Sequence, residues 1–194
     1  MLADDSISKL DLEERLACRL TLREVRELAL WAADAESRRM WIWRMCLSYD
    51  RRKSVNALWT LTHFPDSGHE WLMSLRDEMI DRLLVETDVA KRRMLLQILR
   101  EQEYEPDEIR GDFLDYCLSK INSEHEPYAI RCFSIYVAYK MCRHFPELIS
   151  ELEQHLEMME FQPLSPGLKS ALRQTRAKIK RLKMLWGKRR NHKI

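Results

Sequence analysis

Residues 126–159 read EPYAIRCFSIYVAYKMCRHFPELISELEQHLEMM, and this stretch decides the fold. Its first half places Ile130, Phe133, Val137 and Met141 three and four residues apart, on one face of an α-helix. Its second half does the same with Leu148, Leu152, Leu156 and Met159. Pro146 stands between the two halves. Proline lacks an amide hydrogen and clashes with the preceding turn, so it cannot continue the first helix. It does fit the first turn of the second, where the amide would have no helical partner in any case. Glu147 beside it favours the positive end of the new helix dipole. The stretch therefore predicts two antiparallel helices joined at a proline–acid pair.

The same arrangement occurs twice upstream, because Pro65-Asp66, Pro106-Asp107 and Pro146-Glu147 are evenly spaced along the chain. Val55, Leu58, Trp59 and Thr62 form a helical stripe before Pro65, and Leu72, Leu75, Met79 and Leu83 form one after it. Leu95, Ile98 and Leu99 precede Pro106, followed by Ile109, Phe113, Tyr116, Cys117 and Ile121. Asp50, Asp88 and Pro127 open the first helix of each pair at nearly the same spacing as the prolines. A period of about 40 residues with two helices per unit is that of HEAT and armadillo repeats.

The chain resembles HEAT-like repeat proteins, the small bacterial type in particular. Glu126 to Arg131 and His144 to Leu148 look like a HEAT unit, with Pro and Arg near the start of its first helix and a Pro–Glu turn into its second. The resemblance covers roughly residues 21 to 185. It departs from the family in the first two units, which lack a proline where Pro127 stands. It implies an all-α fold: a right-handed α-solenoid of antiparallel helix pairs, in which stacking buries the face that each pair would otherwise expose. The competing reading is an irregular helical bundle with evenly placed prolines.

Composition agrees with helices. Leu occurs 28 times, whereas Val and Thr together occur 10 times, and no strand is predicted. Thr21 and Glu24 form a capping box with Leu20 and Val25 as its staple, so a helix starts at Thr21 and ends near Ala33. Ser165 and Pro166 open the last helix. The expected organisation is one domain over 1–186, comprising a leading pair (21–49), repeats at 50–86, 87–122 and 123–160, and a terminal basic helix (165–186). A basic flexible tail (187–194) would follow.

Catalytic chemistry finds little support. Four glycines are too few for a phosphate-cradling loop, and three of them (Gly68, Gly167, Gly187) fall in or beside predicted turns. Five cysteines (Cys18, Cys46, Cys117, Cys132, Cys142), odd in number and with no CxxC, read as buried free thiols. Glu151 and His155 share a helix face without the further ligands a metal needs, and read as a surface ion pair. His63 and His144 each precede Phe-Pro-acid, which suggests that they meet the last carbonyls of a helix. Trp31, Trp41, Trp43, Trp59 and Trp71 read as packing residues. No catalytic residue, cofactor or metal is assigned. Neither a membrane-length apolar run nor a signal sequence is evident, so no membrane partner is expected and a cytoplasmic location is the default.

Charge is the strongest functional cue. The net charge is only +2, yet positions 161–194 carry 11 Lys and Arg and no Asp or Glu, leaving a balance of −9 over positions 1–160. Leu168, Leu172, Thr175, Ile179, Leu182 and Trp186 form a narrow apolar stripe on that basic segment. Two readings stand. Either the segment caps the array, or Lys169, Arg173, Arg176, Lys180, Arg181 and Lys183 bind an anionic ligand. Basic residues also recur near the starts of the first helices (Arg51, Arg52 and Lys53; Lys91, Arg92 and Arg93; Arg131; Lys169 with Arg173), where they would form either a positive ridge leading into the basic tail or a ladder of salt bridges with Asp50, Asp88 and Glu126. The function expected is a non-catalytic scaffold that binds another protein along a concave face lined by the second helices. Nucleic-acid binding through the basic helix and ridge is the alternative. A DNA-glycosylase-like activity, known among HEAT-like folds, is third, because its catalytic motif has no match here. The partner and the oligomeric state stay open.

Overall fold

The structure, a computed structural model, describes residues 9–191. All regular elements among them are helical: α1 (Lys9–Ala17), α2 (Leu22–Ala33), α3 (Glu36–Cys46), α4 (Arg51–Leu61), α5 (His69–Ser74), α6 (Arg76–Val85), α7 (Val89–Glu101), α8 (Gly111–Ile121), α9 (Tyr128–Cys142), α10 (Pro146–Met158) and α11 (Pro166–Asn191). Short 3₁₀ turns lie at Asp66–Gly68, Pro106–Glu108 and Met159–Phe161. Where one domain is expected, the chain divides into two compact units, one ending at Ile98 and the other beginning at Leu99, so that the division falls inside α7.

The first unit begins with α1, a helix for which the sequence offers no clear start signal. The capping box at Thr21 is present in full: the hydroxyl accepts from the Glu24 amide, and the Glu24 carboxylate accepts from the Thr21 amide. Arg15 pairs with the same carboxylate and, with the Thr21 bonds, holds the Glu24 pKa down at about 2. α4 is the hub, packing against α1, α2 and α3. Its buried arc therefore consists of Ser54, Ala57, Leu58 and Leu61, with Asn56 and Thr60 at the flanks, rather than the expected stripe. Small residues let neighbouring helices approach, and Val55 and Trp59 are left half-buried. Asn56 donates to the carbonyls of Leu16 and Cys18, both at 2.8 Å, and so closes the C-terminal end of α1.

Pro65 leads into a 3₁₀ turn and not directly into an α-helix. Gly68 in that turn sits against Phe64, where a Cβ would lie 2.7 Å from the ring. The helix expected after it is broken at Leu75 (φ −94°, ψ 6°), giving α5 and α6.

In the second unit α9 is central, packing against α8, α10 and α11. Ile130, Ile135, Val137, Ala138 and Met141 are buried with Phe113, Cys117, Ile121, Ile149, Leu152 and Leu156. Phe133, expected in the core, is half-buried beneath the Arg100 guanidinium, 4.8 Å away. Pro146 is the first residue of α10, as expected. Pro106 instead opens a 3₁₀ turn, which a reciprocal Glu105–Glu108 pair closes, so α8 starts only at Gly111 and Ile109 stays extended (φ −76°, ψ 118°). His63 meets the end of its own helix as expected, its Nδ1 3.0 Å from the Trp59 carbonyl, whereas His144 Nε2 lies 2.7 Å from the carbonyl of Tyr104, in the loop after α7 and not at the end of α9. His155 meets Asn122 at 3.1 Å in place of the expected Glu151 partner.

α11 begins as predicted, with the Ser165 hydroxyl accepting from the Leu168 amide at 3.3 Å. Leu168, Ala171, Leu172, Thr175 and Ile179 are buried, and Leu182 and Trp186 are half-buried. The helix runs to Asn191, so residues 187–191 are helical where a flexible tail is expected, Gly187 among them. Residues 192–194 of that tail lie outside the described residues. All five cysteines are free, but only Cys46, Cys117 and Cys142 are buried, and burial pushes the Cys142 thiol up to about 12. Cys132 is half-buried and Cys18 is exposed, against expectation, because α1 ends at Ala17. No helix among the described residues is long and apolar enough to cross a membrane.

Candidate binding interface

Of the ten residues expected to bind an anion, two are buried. Arg131 is 1% exposed. Its Nε donates to the Ile121 carbonyl at 2.9 Å, and its guanidinium also donates to Gln162 Oε1 at 2.5 Å. Burial holds its pKa below the usual guanidinium value. It joins the end of α8 to the segment after α10 and cannot belong to a binding ridge. Lys91 is 8% exposed, and its ammonium lies 3.9 Å from the Glu86 carboxylate, which also accepts from Arg82 at 3.0 Å. Burial pushes the Glu86 pKa up, but the Asp88 amide, Lys91 and Arg82 more than offset this and bring it below the ordinary value. Lys53, Arg92 and Arg93 are half-buried, while Arg51 and Arg52 are exposed.

In the first unit one rung of the expected salt-bridge ladder is present. Arg51 meets Asp88 at 2.6 Å, linking the starts of α4 and α7, while Lys53 reaches Glu13 at 3.5 Å. Asp50 and Asp88 are meanwhile fixed as helix caps, each accepting two amides in the turn that follows. Carboxylates at these helix starts compensate both the dipole and the cations beside it.

On α11 the cations fall into two sets. Arg176 pairs with Glu160 and also donates to the Leu156 carbonyl at 3.4 Å; Lys183 pairs with Glu153; and the Lys178 ammonium lies 5.6 Å from the centre of the Tyr139 ring. These three fasten α11 to α9 and α10. Lys169, Arg173, Lys180, Arg181 and Lys188 are exposed. A groove of about 900 Å³ runs between α10 and α11, with Glu153, Glu157 and Glu160 on one wall and Arg176, Lys180 and Lys183 on the other. Phe161, 91% exposed, and Met184 lie along it.

The profile of the HEAT repeat domain family matches residues 12–179. The chain is a HEAT repeat protein. The match starts within α1, ahead of the segment that carries the resemblance, and ends at Ile179, a buried residue of α11. No curated protein and no solved structure matches the chain. HEAT repeats are scaffolds that commonly serve protein contacts, which directs attention to apolar surface left in solvent.

One such surface escapes the sequence reading. Tyr49 is fully exposed and Val85 is 72% exposed, with Leu47 and Val89 also open to solvent. Leu47 and Tyr49 belong to the turn before α4, and Val85 and Val89 flank the turn before α7. The Arg51–Asp88 bridge holds these two turns of the HEAT array side by side. A signal was available. Tyr49 precedes the Asp50 cap without a staple partner, and the two valines bracket the polar run Glu86-Thr87-Asp88 where turn composition alone would be expected. Among the described residues no group of His, Cys, Asp or Glu is arranged to hold a metal.

Proposed function

We propose that this HEAT protein is a non-catalytic scaffold that holds a partner protein at the turn edge of its first unit. The observation that carries the reading is the exposed set Leu47, Tyr49, Val85 and Val89 on two bridged turns. Single exposed apolar residues are ordinary, but four large ones on adjoining turns mark an interaction surface. Arg51, whose side chain is 71% exposed, and Arg52 flank Tyr49. Tyrosine and arginine are the residue types that most often carry binding energy at protein interfaces. The partner surface that complements them is aliphatic with a rim of carboxylates.

The test begins with a photo-crosslinking residue at position 49 and, as a control, at exposed position 107. The protein joined at 49 is then purified and titrated against the intact chain. Tyr49→Ala should weaken its binding about tenfold to a hundredfold and leave the melting temperature unchanged, because the side chain touches little of its own fold. Equal adducts at both positions, or undiminished binding by Tyr49→Ala and Val85→Ser, would refute the proposal.

A further inference from the structure

We infer that the outward face of α11 binds the phosphate backbone of duplex nucleic acid, a site in the other unit from the protein contact and independent of it. α11 carries ten Lys and Arg and no Asp or Glu. Fastening the helix to its unit engages Arg176, Lys178 and Lys183. Lys169, Arg173, Lys180, Arg181 and Lys188 have no role in that packing. At about 100° per residue these five share an arc of roughly 120°, on the side opposite the buried Leu168, Leu172, Thr175 and Ile179. At ~1.5 Å per residue the strip is about 28 Å long.

The N-terminal end of the strip is built for an anion. Helix starts normally carry Asp or Glu, yet the first turn of α11 has neither and holds Lys169. Lys169, Arg173 and Arg176 line a pocket of about 500 Å³ over Leu164 and Leu172, with Glu160 already paired to Arg176. Cations there oppose the helix dipole, and a bound phosphate reverses that penalty. Ser170, Ala177 and Gly187 also lie on the arc, with Met184 as its one large apolar side chain, which lines the groove beside Phe161; Gln174 and the exposed Leu185 lie just beyond its edge. Met184 and the adjoining Leu185 are too little to form the apolar core of a protein interface or anchor the helix in a bilayer, whereas backbone phosphates need only charge and donors.

The full chain should be titrated by fluorescence anisotropy against a labelled duplex of about 20 base pairs, from roughly 50 to 200 mM salt. Five neutralised phosphates give a log–log slope of about −4.5. The variant Lys169→Gln/Arg173→Gln/Lys180→Gln/Arg181→Gln should flatten the slope to about −1 and weaken binding at least a hundredfold at low salt, with its circular dichroism unchanged. Arg176→Gln/Lys183→Gln should lower the melting temperature and keep most of the slope. Tyr49→Ala should bind the duplex like the parent, so failure of one proposal is distinguishable from failure of the other. The inference is overturned by absence of binding at low salt or by binding that survives the fourfold outward substitution. Stronger competition by polyglutamate or phosphatidylserine vesicles than by unlabelled duplex would also overturn it, reassigning the strip to an acidic protein or a lipid surface.

Discussion

Replacing Arg131 by methionine separates a structural arginine from a ligand-binding one. The side chain is 1% exposed and donates to the Ile121 carbonyl at 2.9 Å and to Gln162 Oε1 at 2.5 Å; the Gln162 amide in turn donates to the Asn122 carbonyl at 3.1 Å. Methionine approximates the volume but strands both acceptors, at about 1–3 kcal/mol each. Removing a buried charge returns about 1 kcal/mol, which leaves a net loss of about 3 kcal/mol. With a urea m-value of ~2 kcal/mol/M the midpoint should fall by about 1.5 M. Far-UV circular dichroism is the appropriate signal, because five of the six tryptophans precede residue 99 and fluorescence reports mainly the first unit. Arg131→Lys restores the charge without the planar fork and should recover less than half of the loss. A cycle with Gln162→Ala should show coupling of about 1 kcal/mol or more. An Arg131→Met protein within about 0.5 kcal/mol of the parent would refute the reasoning, since a guanidinium that costs so little to remove is not held by these carbonyls.

Three further outcomes follow from the same structure. Asn56→Ala should lower stability by about 2 kcal/mol, measured by thermal melting, because it strands the Leu16 and Cys18 carbonyls that close α1. Glu86→Gln should destabilise at neutral pH by about 2 kcal/mol. Its folded pKa lies below the ordinary 4.5, so the carboxylate's contribution is complete above that value and is lost as pH falls through the folded one. The gap between parent and variant should therefore close in acid, and a gap that is constant with pH contradicts the assignment. A thiol reagent should react fast with exposed Cys18 and reach buried Cys46, Cys117 and Cys142 only on unfolding; rapid reaction of all five would contradict their burial.

Features set by neighbours in sequence were legible. The Thr21 cap depends on residues 21–24, the Ser165 cap on its own turn, and the repeat rhythm on prolines that cannot continue a helix. What escaped depends on partners distant along the chain. Arg131 reads as a surface cation until the Ile121 carbonyl, upstream in α8, and Gln162, beyond α10, enclose it. The buried arc of α4 rotates away from Val55 and Trp59 because three helices, not one, lean on it. Pro65 and Pro106 mark the correct places but not the correct geometry, since proline is equally at home in a 3₁₀ turn. The ten expected anion-binding residues fared accordingly. Those on α11 lie along one helix, whereas of those at earlier helix starts Arg52 is exposed, Arg92 half-buried, Lys91 drawn to the Glu86 carboxylate and Arg131 enclosed in the core.

The charge asymmetry takes on a different meaning once it is assigned to units. Positions 1–98 hold 17 acidic and 16 basic side chains, and positions 99–160 hold 14 acidic and six basic. Nearly all the negative charge ahead of Phe161 therefore belongs to the same unit as α11. α10 itself has Glu147, Glu151, Glu153 and Glu157 and no Lys or Arg. A basic closing helix is thus a local complement to an acidic one, and Arg176 and Lys183 make that complementarity concrete. Of the outward strip only Lys180 borders the groove that Glu153 and Glu157 line, and none of its five cations forms an ion pair with the carboxylates of α10. If capping were the whole role of α11, Lys169, Arg173, Lys180, Arg181 and Lys188 would be interchangeable with glutamate, and mixed signs would serve solubility at least as well. Five cations of one sign on the side of the helix turned away from its own core are explained by an anion that comes to them.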